Sequence, residues 1–269
     1  MGISDVGRKL QDIVIASSDE TSLSPLIAKR LLNFLEIDFS DYSLEDLASY
    51  CLVSPASLSR FIQKIGYRNY QEFKEAVTIT RKRVHQESFD KQKEIYSSKL
   101  SLSENSKRYA ELIRESIQTT ELAIHPSQMD KICQQIHDNE NIYLFGVHSS
   151  GDILRELQYA FLGLGKLVNY YDGRINQKEI ANRIENDSMI IVLSVGGNFF
   201  RHISNWFFQL NFDNCQSVLI TANKTFKLRK MFDEVIDLGV PSIQSTGIFQ
   251  AQFLVDLLFA RYRELYDNK

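Results

Sequence analysis

The sequence predicts a two-domain protein, an all-α helix-turn-helix bundle followed by an α/β three-layer domain on a five-stranded parallel sheet. Three observations carry that expectation. Between Ser24 and Gly66, apolar residues recur at helical spacing behind serine and proline start signals. From Asn141 onward, short continuous apolar runs alternate with helical patterns, as parallel strands covered on both faces require. Between them lies a polar stretch, residues 86–105, without Gly or Pro, suited to a helical or semi-rigid connector. Domains are therefore expected at 1–85 and 106–269, joined by 86–105, and 269 residues suffice for two cores at about 150 residues per domain.

Composition narrows the class. With 43% apolar and 24% charged residues the chain has globular proportions, and 12 Gly and 4 Pro exclude collagen-like or low-complexity sequence. Apolar stretches such as Met189–Leu193 fall far short of the roughly 18 residues of a membrane span. The start, Met1-Gly2-Ile3-Ser4-Asp5, lacks a basic region followed by an apolar one, so a cytoplasmic protein without membrane partners is expected. Cys51, Cys133 and Cys215 are odd in number and far apart, which reads as three buried thiols. The net charge of −3 is unevenly spread, because residues 44–85 carry seven Lys/Arg against four Asp/Glu, a local balance of +3.

In chain order, Ser24-Pro25 predicts a helix with Ser24 as cap and Pro25 at the first position, followed by Leu26, Ile27, Leu31, Leu32 and Leu35. Ser43-Leu44-Glu45-Asp46 predicts a short capped helix ending near Cys51. Ser54-Pro55 opens a third, with Leu58, Phe61, Ile62 and Ile65 facing the core and Gly66 as stop. A short helix, a tight turn and a second short helix have the dimensions of a helix-turn-helix, although the turn carries Cys51-Leu52 where glycine is frequent. The candidate DNA-binding residues are Ser54, Ala56, Ser57, Ser59, Arg60, Gln63 and Lys64, with Arg68 and Lys74 beyond. Small side chains allow close approach to base edges, Arg60 suits sequence preference, and Lys64, Arg68 and Lys74 suit phosphates. Periodicity alone also fits an ordinary three-helix bundle with a polar solvent face.

The run Ser43-Leu-Glu-Asp-Leu-Ala48, then Val53-Ser54-Pro55-Ala56-Ser57-Leu58-Ser59-Arg60-Phe61, then Lys64-Ile65-Gly66-Tyr67 and Tyr70-Gln71-Glu72-Phe73-Lys74 resembles the N-terminal DNA-binding domain of RpiR-type transcriptional regulators. The likeness covers roughly the first 85 residues in order and spacing, and it implies binding to double-stranded operator DNA.

In the second half, strands are expected at Asn141–Phe145, Leu167–Tyr171, Met189–Val195, Val218–Thr221 and Val235–Leu238, with helices between, including Phe199–Leu210. Ligands of such sheets sit beyond the carboxyl ends of the strands, where helix N-termini attract anions. Two loops qualify, Gly146-Val147-His148-Ser149-Ser150-Gly151 and Ser194-Val195-Gly196-Gly197-Asn198. Any βα turn favours Gly, Ser and Asn, and neither loop is a P-loop or a dinucleotide fingerprint.

These loops resemble those of the SIS (sugar isomerase) domain, which in RpiR-type regulators binds the effector. The resemblance implies an effector site for a phosphorylated sugar at His148, Ser149, Ser150, Ser194, Gly196, Gly197 and Asn198, with Ser150 as the first-loop serine and Ser194 as the first serine of the second loop. Three departures stand out. His148 replaces a glycine, Gly196 replaces the second serine, and Phe199 stands where a threonine is expected.

His85, His125, His137 and His202 have no metal-ligand spacing, so neither a metal nor a cofactor is expected. Asp256 reads as a cap or pair at a helix interface, and Trp206, Phe207 and Phe208 read as core. The expected function is a transcriptional regulator of sugar or amino-sugar metabolism, acting as a homodimer or homotetramer because a single helix-turn-helix covers little DNA. Two rivals stand beside it. One is a sugar-phosphate isomerase, for which His148 is the only acid–base candidate in either loop. The other is a regulator whose second domain only oligomerises.

Overall fold

A computed structural model describes residues 6–15, 22–35, 37–171, 181, 184–185, 187–197, 199–200 and 215–267. The chain divides into two compact units, Met1–Lys93 and Glu94–Lys269.

The first unit is all-α, with α1 Val6–Ile15, α2 Leu23–Leu31 and a 3-10 turn Leu32–Leu35, α3 Leu44–Cys51, α4 Pro55–Lys64, and α5 Tyr70–Ile95, which crosses the unit boundary. Helix α1 is an element that the start signals above do not announce. Helix α2 opens earlier than expected: Ser22 is the cap residue, its side chain makes no capping bond, and Ser24 and Pro25 lie inside the first turn. Leu32 and Leu35 belong to the 3-10 turn rather than to the helix.

The signals at α3 and α4 act locally and hold. Ser43 and Asp46 form a reciprocal capping box, and Ser54 Oγ accepts from the Ser57 amide at 3.2 Å. At the far end of α4, Gly66 takes a positive φ of 91°, and Tyr67 donates to the Ile62 carbonyl at 3.2 Å to close the helix. Leu58, Phe61, Ile62 and Ile65 are buried, together with Val6, Leu10, Ile27, Leu31, Phe39, Leu47 and Phe73. Each fully buried side chain of this kind contributes about 1.5–3 kcal/mol.

Part of the stretch anticipated as a connector is helical: residues 86–95 belong to α5, whose last two residues open the second unit, and a short turn leads to α6 Leu102–Ala123, opened by a Ser101–Glu104 capping box. Buried Asn105 fastens that turn, accepting from the Ser97 amide at 2.7 Å and donating to the carbonyls of Ser97 and Leu100. There follow α7 Pro126–Asp138, β1 Ile142–Phe145, α8 Ser149–Leu162, β2 Val168–Tyr170, β3 Met189–Leu193, β4 Gln216–Thr221, β5 Glu234–Asp237 and α9 Gly247–Tyr266. The expected helix Phe199–Leu210, with His202, Trp206, Phe207 and Phe208, extends outside the described residues.

The sheet has five parallel strands in the order β2-β1-β3-β4-β5. Both faces are covered, which is why the strands are continuously apolar. Helices α7, α8 and α9 pack on Ile142, Leu144, Ile191 and Ile220, while Phe145, Ile190, Val192 and Leu219 face Phe199, Phe226 and Phe232. A buried polar network ties α6 to the β5–α9 connection: Gln250 Nε2 donates to the carbonyls of Ser116 and Leu238, at 2.9 and 2.8 Å, and the Ser116 and Thr246 hydroxyls meet at 2.7 Å.

Cys51 and Cys133 are buried, and burial pushes each thiol up to about 11; Cys215 is only half-buried, so it departs from the expected three buried thiols. Asp256 lies at the surface and accepts from Gln252 within α9 at 2.8 Å, which corrects its expected place at a helix interface.

Candidate nucleic-acid interface and effector site

Helices α3 and α4 are joined by a turn in which Leu52 adopts the left-handed conformation, φ 56° and ψ 42°. This is the position where glycine was missing from the sequence. Leu52 and Val53 donate to the Ser49 and Ala48 carbonyls, both at 3.0 Å, so the turn closes as a Schellman motif despite its side chain.

Helix α4 exposes Ser54, Ala56, Arg60, Gln63 and Lys64, with Ser57 and Ser59 half-buried, opposite its buried stripe. Lys64 Nζ lies 3.3 Å from Ser24 Oγ. The two more distant cations are more engaged. Arg68 is paired with Glu72 at 3.2 Å, and Lys74 donates to the Tyr42 carbonyl at 3.2 Å above the Tyr70 ring. Small residues at the N-terminal end and long donors after them suit a helix laid in a major groove.

In the second unit, the two candidate loops follow β1 and β3, which pair in register from Ile142↔Met189 to Phe145↔Val192. Because β2 lies on the other side of β1, the chain direction of the sheet order switches here, at the crevice where α/β sheets bind ligands. His148 caps α8 at φ 56° and ψ −135°, a backbone that side chains rarely adopt. A histidine thus occupies a glycine-type conformation. His148 and Ser149 are exposed and Ser150 is half-buried at the start of α8, where helix amides lack intrahelical acceptors. Gly151 is required by close approach, since a Cβ there would overlap the hydroxyl of Tyr170 on β2.

The second loop is built differently. Ser194 is 3% exposed, and its Oγ accepts from the Phe199 amide at 3.1 Å, so this hydroxyl is committed to holding the loop. Phe199, in place of the expected threonine, is fully buried and packs against Phe145 and Phe200. Gly196 is exposed, and Gly197 turns the chain at φ 82°. Asn198 lies outside the described residues.

Neighbours that sequence reasoning did not single out shape this loop. Thr221 Oγ1, at the end of β4, donates to the Ser194 carbonyl at 2.8 Å, and Asn223 Nδ2 donates to the Gly196 carbonyl at 3.2 Å. Their position at a strand end beside the switch point was the available signal. Gly247, at the start of α9, packs so closely on Val195 that a Cβ would lie 2.6 Å from its Cγ1.

The fold defines a helix-turn-helix protein with an α/β second domain built on a five-stranded parallel sheet. Residues 135–261 match the family model of the SIS domain. The chain is 23% identical, over 98% of its length and 93% of the relative's, to a protein of Providencia stuartii named as an uncharacterized HTH-type transcriptional regulator. Among solved structures it is similar to the Vibrio vulnificus NanR protein complexed with ManNAc-6P, at TM-score 0.53 and 18% identity, covering 97% of this chain and 92% of that one. It is also similar to a phosphoheptose isomerase from Francisella tularensis, at TM-score 0.50 and 17% identity, covering 61% of this chain and 100% of that one. The chain therefore carries a SIS domain behind a helix-turn-helix, the domain order of RpiR-type transcriptional regulators.

Proposed function

We propose that the protein is a DNA-binding transcriptional regulator whose α4 reads an operator and whose SIS domain responds to a phosphorylated sugar. In this reading residues 1–85 bind DNA, 106–269 bind effector and self-associate, and 86–105 join them. The observation that carries it is the exposed Ser54–Lys64 face of α4, small at one end and cationic at the other, in a chain whose second half is a SIS domain. Dimers or tetramers place two recognition helices about 34 Å apart on paired half-sites. The NanR structure with ManNAc-6P makes N-acyl amino-sugar 6-phosphates the first effectors to try. The protein acts in the cytoplasm, where operator and metabolite meet. Isomerase chemistry is disfavoured because neither loop carries a carboxylate to act as acid or base.

The committed Ser194 hydroxyl and the inward Phe199 support a second reading, in which the SIS domain only oligomerises. One titration separates the two. Fluorescence anisotropy on DNA from upstream of the protein's own gene, with and without hexose and amino-sugar 6-phosphates, is expected to show specific binding that a sugar phosphate shifts. Specific binding indifferent to every sugar phosphate would favour the oligomerisation reading, and no preference over unrelated DNA would remove both.

A further inference from the structure

Glu94 is the first residue of the second unit and lies in the last turn of α5. Its Oε2 accepts two hydrogen bonds from one residue 151 positions away, from the Ser245 amide at 3.2 Å and the Ser245 hydroxyl at 3.0 Å. Its carbonyl accepts from Arg108 Nη2 of α6 at 2.6 Å. The last turn of α5 is thus tied by three long-range bonds, two of them to a carboxylate, and bonds to a charged group are about twice as strong as neutral ones.

Ser245 sits in the 3-10 turn Gln244–Thr246, which runs directly into α9. Two residues on, Gly247 packs against Val195 of the second candidate loop with no room for even one added carbon. The Val195 carbonyl is in turn held by the Ala222 amide at 2.9 Å. The same turn is held from behind by the Ser116–Thr246 hydroxyl pair, and Gln250 of α9 donates to the Ser116 carbonyl. Closely packed interiors transmit displacement rather than absorb it. A shift of residues 194–197 therefore moves Gly247, and with it the donors that hold Glu94.

We propose that the Glu94–Ser245 pair is the coupling element of the molecule. It passes the state of the β3 loop to α5, the helix that supplies Phe73, Ala76 and Val77 to the core of the first unit. This rests on the regulator reading above and adds to it the residues through which the effector acts. A merely structural stitch between α5 and α9 would contribute stability without selective transmission.

The test uses the full chain and a substitution in place of an unknown effector. Gly247→Ala forces Val195 and the α9 start apart. Hydrogen–deuterium exchange is expected to change in the peptides covering both residues 244–250 and 88–95. When Glu94→Ala is added, the change over 244–250 persists and the change over 88–95 disappears, whereas Glu94→Gln, which keeps an acceptor, retains part of it. Ser245→Ala, a milder variant that keeps the packing, is expected to speed exchange over 88–95 about tenfold, as loss of a bond to a charged group implies. If Gly247→Ala alters residues 88–95 equally with and without Glu94, or never alters them, the proposal is overturned.

A DNA arm keeps the two readings apart. Glu94→Ala is expected to bind its upstream DNA and sugar phosphates within about twofold of the unsubstituted protein, while losing the sugar's effect on DNA affinity, ordinarily about 5–150-fold. Retention of that effect overturns the coupling role. Absence of DNA binding or of any sugar effect in the unsubstituted protein instead counts against the regulator reading, and the exchange result still decides the coupling.

Discussion

Val53 and Ala48 are joined across the helix-turn-helix by a 3.0 Å amide-to-carbonyl bond that forces the intervening Leu52 into the left-handed region. Non-glycine residues pay about 1–2 kcal/mol for that conformation, and the Leu52 side chain, 74% exposed, recovers little by burial. Leu52→Gly is therefore expected to stabilise the protein by up to about 1 kcal/mol, read as a raised urea midpoint with unchanged slope. An unchanged or lowered midpoint would mean that the leucine makes compensating contacts.

At the other end of α3, Ser43→Ala removes the capping acceptor and is expected to cost about 1 kcal/mol in chemical denaturation. The pH dependence has a defined sign. The Ser43 side chain, then its backbone amide, hold the Asp46 carboxyl below its ordinary value of 3.8. That stabilisation is complete above the unfolded value and is lost as pH falls through the folded one. The difference between Ser43→Ala and the unsubstituted protein should therefore be constant near neutrality and shrink below about pH 4.

These caps show what was legible in the sequence and why. Ser43, Ser54 and Gly66 act on amides and carbonyls within a few residues, so local patterns suffice, and the five strands announce themselves because both faces of the sheet are buried. Long-range pairing left no such mark. Nothing near Glu94 points to Ser245, and nothing near Gly196 points to Asn223. The polar composition of 86–95 suited a helix, yet only the structure shows it continuing α5 to Ile95. In the candidate site, the positions of both loops were readable from Gly and Ser at strand ends, whereas the inward turn of Phe199 and the commitment of Ser194 depend on packing against Phe145 and Phe200.

On the regulator reading, the candidate DNA-binding residues divide by chemistry. Arg60→Ala is expected to cost about 1–3 kcal/mol on the preferred operator and to leave unrelated DNA nearly unaffected, because a base-edge contact is specific. Lys64→Ala should weaken both DNAs alike and lower the slope of log affinity against log salt by about 1. Anisotropy titrations at several salt concentrations check both, and an Arg60→Ala variant with unaltered operator preference would remove it from the reading face.

Ser194→Ala separates loop support from ligand contact. The change leaves the buried Phe199 amide without its acceptor, at a cost of about 1–3 kcal/mol. Thermal unfolding should fall by several degrees in the absence of any sugar. If stability is unchanged while a sugar-phosphate response is lost, Ser194 acts on the ligand and not on the loop.

The first loop depends on how closely α8 approaches β2. A methyl at Gly151 would occupy the space of the Tyr170 hydroxyl, and an aromatic ring fixed in a strand cannot swing aside as a lysine tip can. Overpacking of this kind typically costs about 1–3 kcal/mol. Gly151→Ala is therefore expected to lower stability by that order and to displace the start of α8, where Ser149 and Ser150 sit. Removing the obstructing oxygen should restore most of the loss, because the next atom, Tyr170 Cζ, is 3.3 Å from the added carbon and needs only a small shift. The double variant Gly151→Ala/Tyr170→Phe should thus be more stable than Gly151→Ala alone, a non-additivity that a denaturation double-mutant cycle measures directly. Additive losses would place the strain elsewhere in the loop, at the left-handed His148 that caps the same helix.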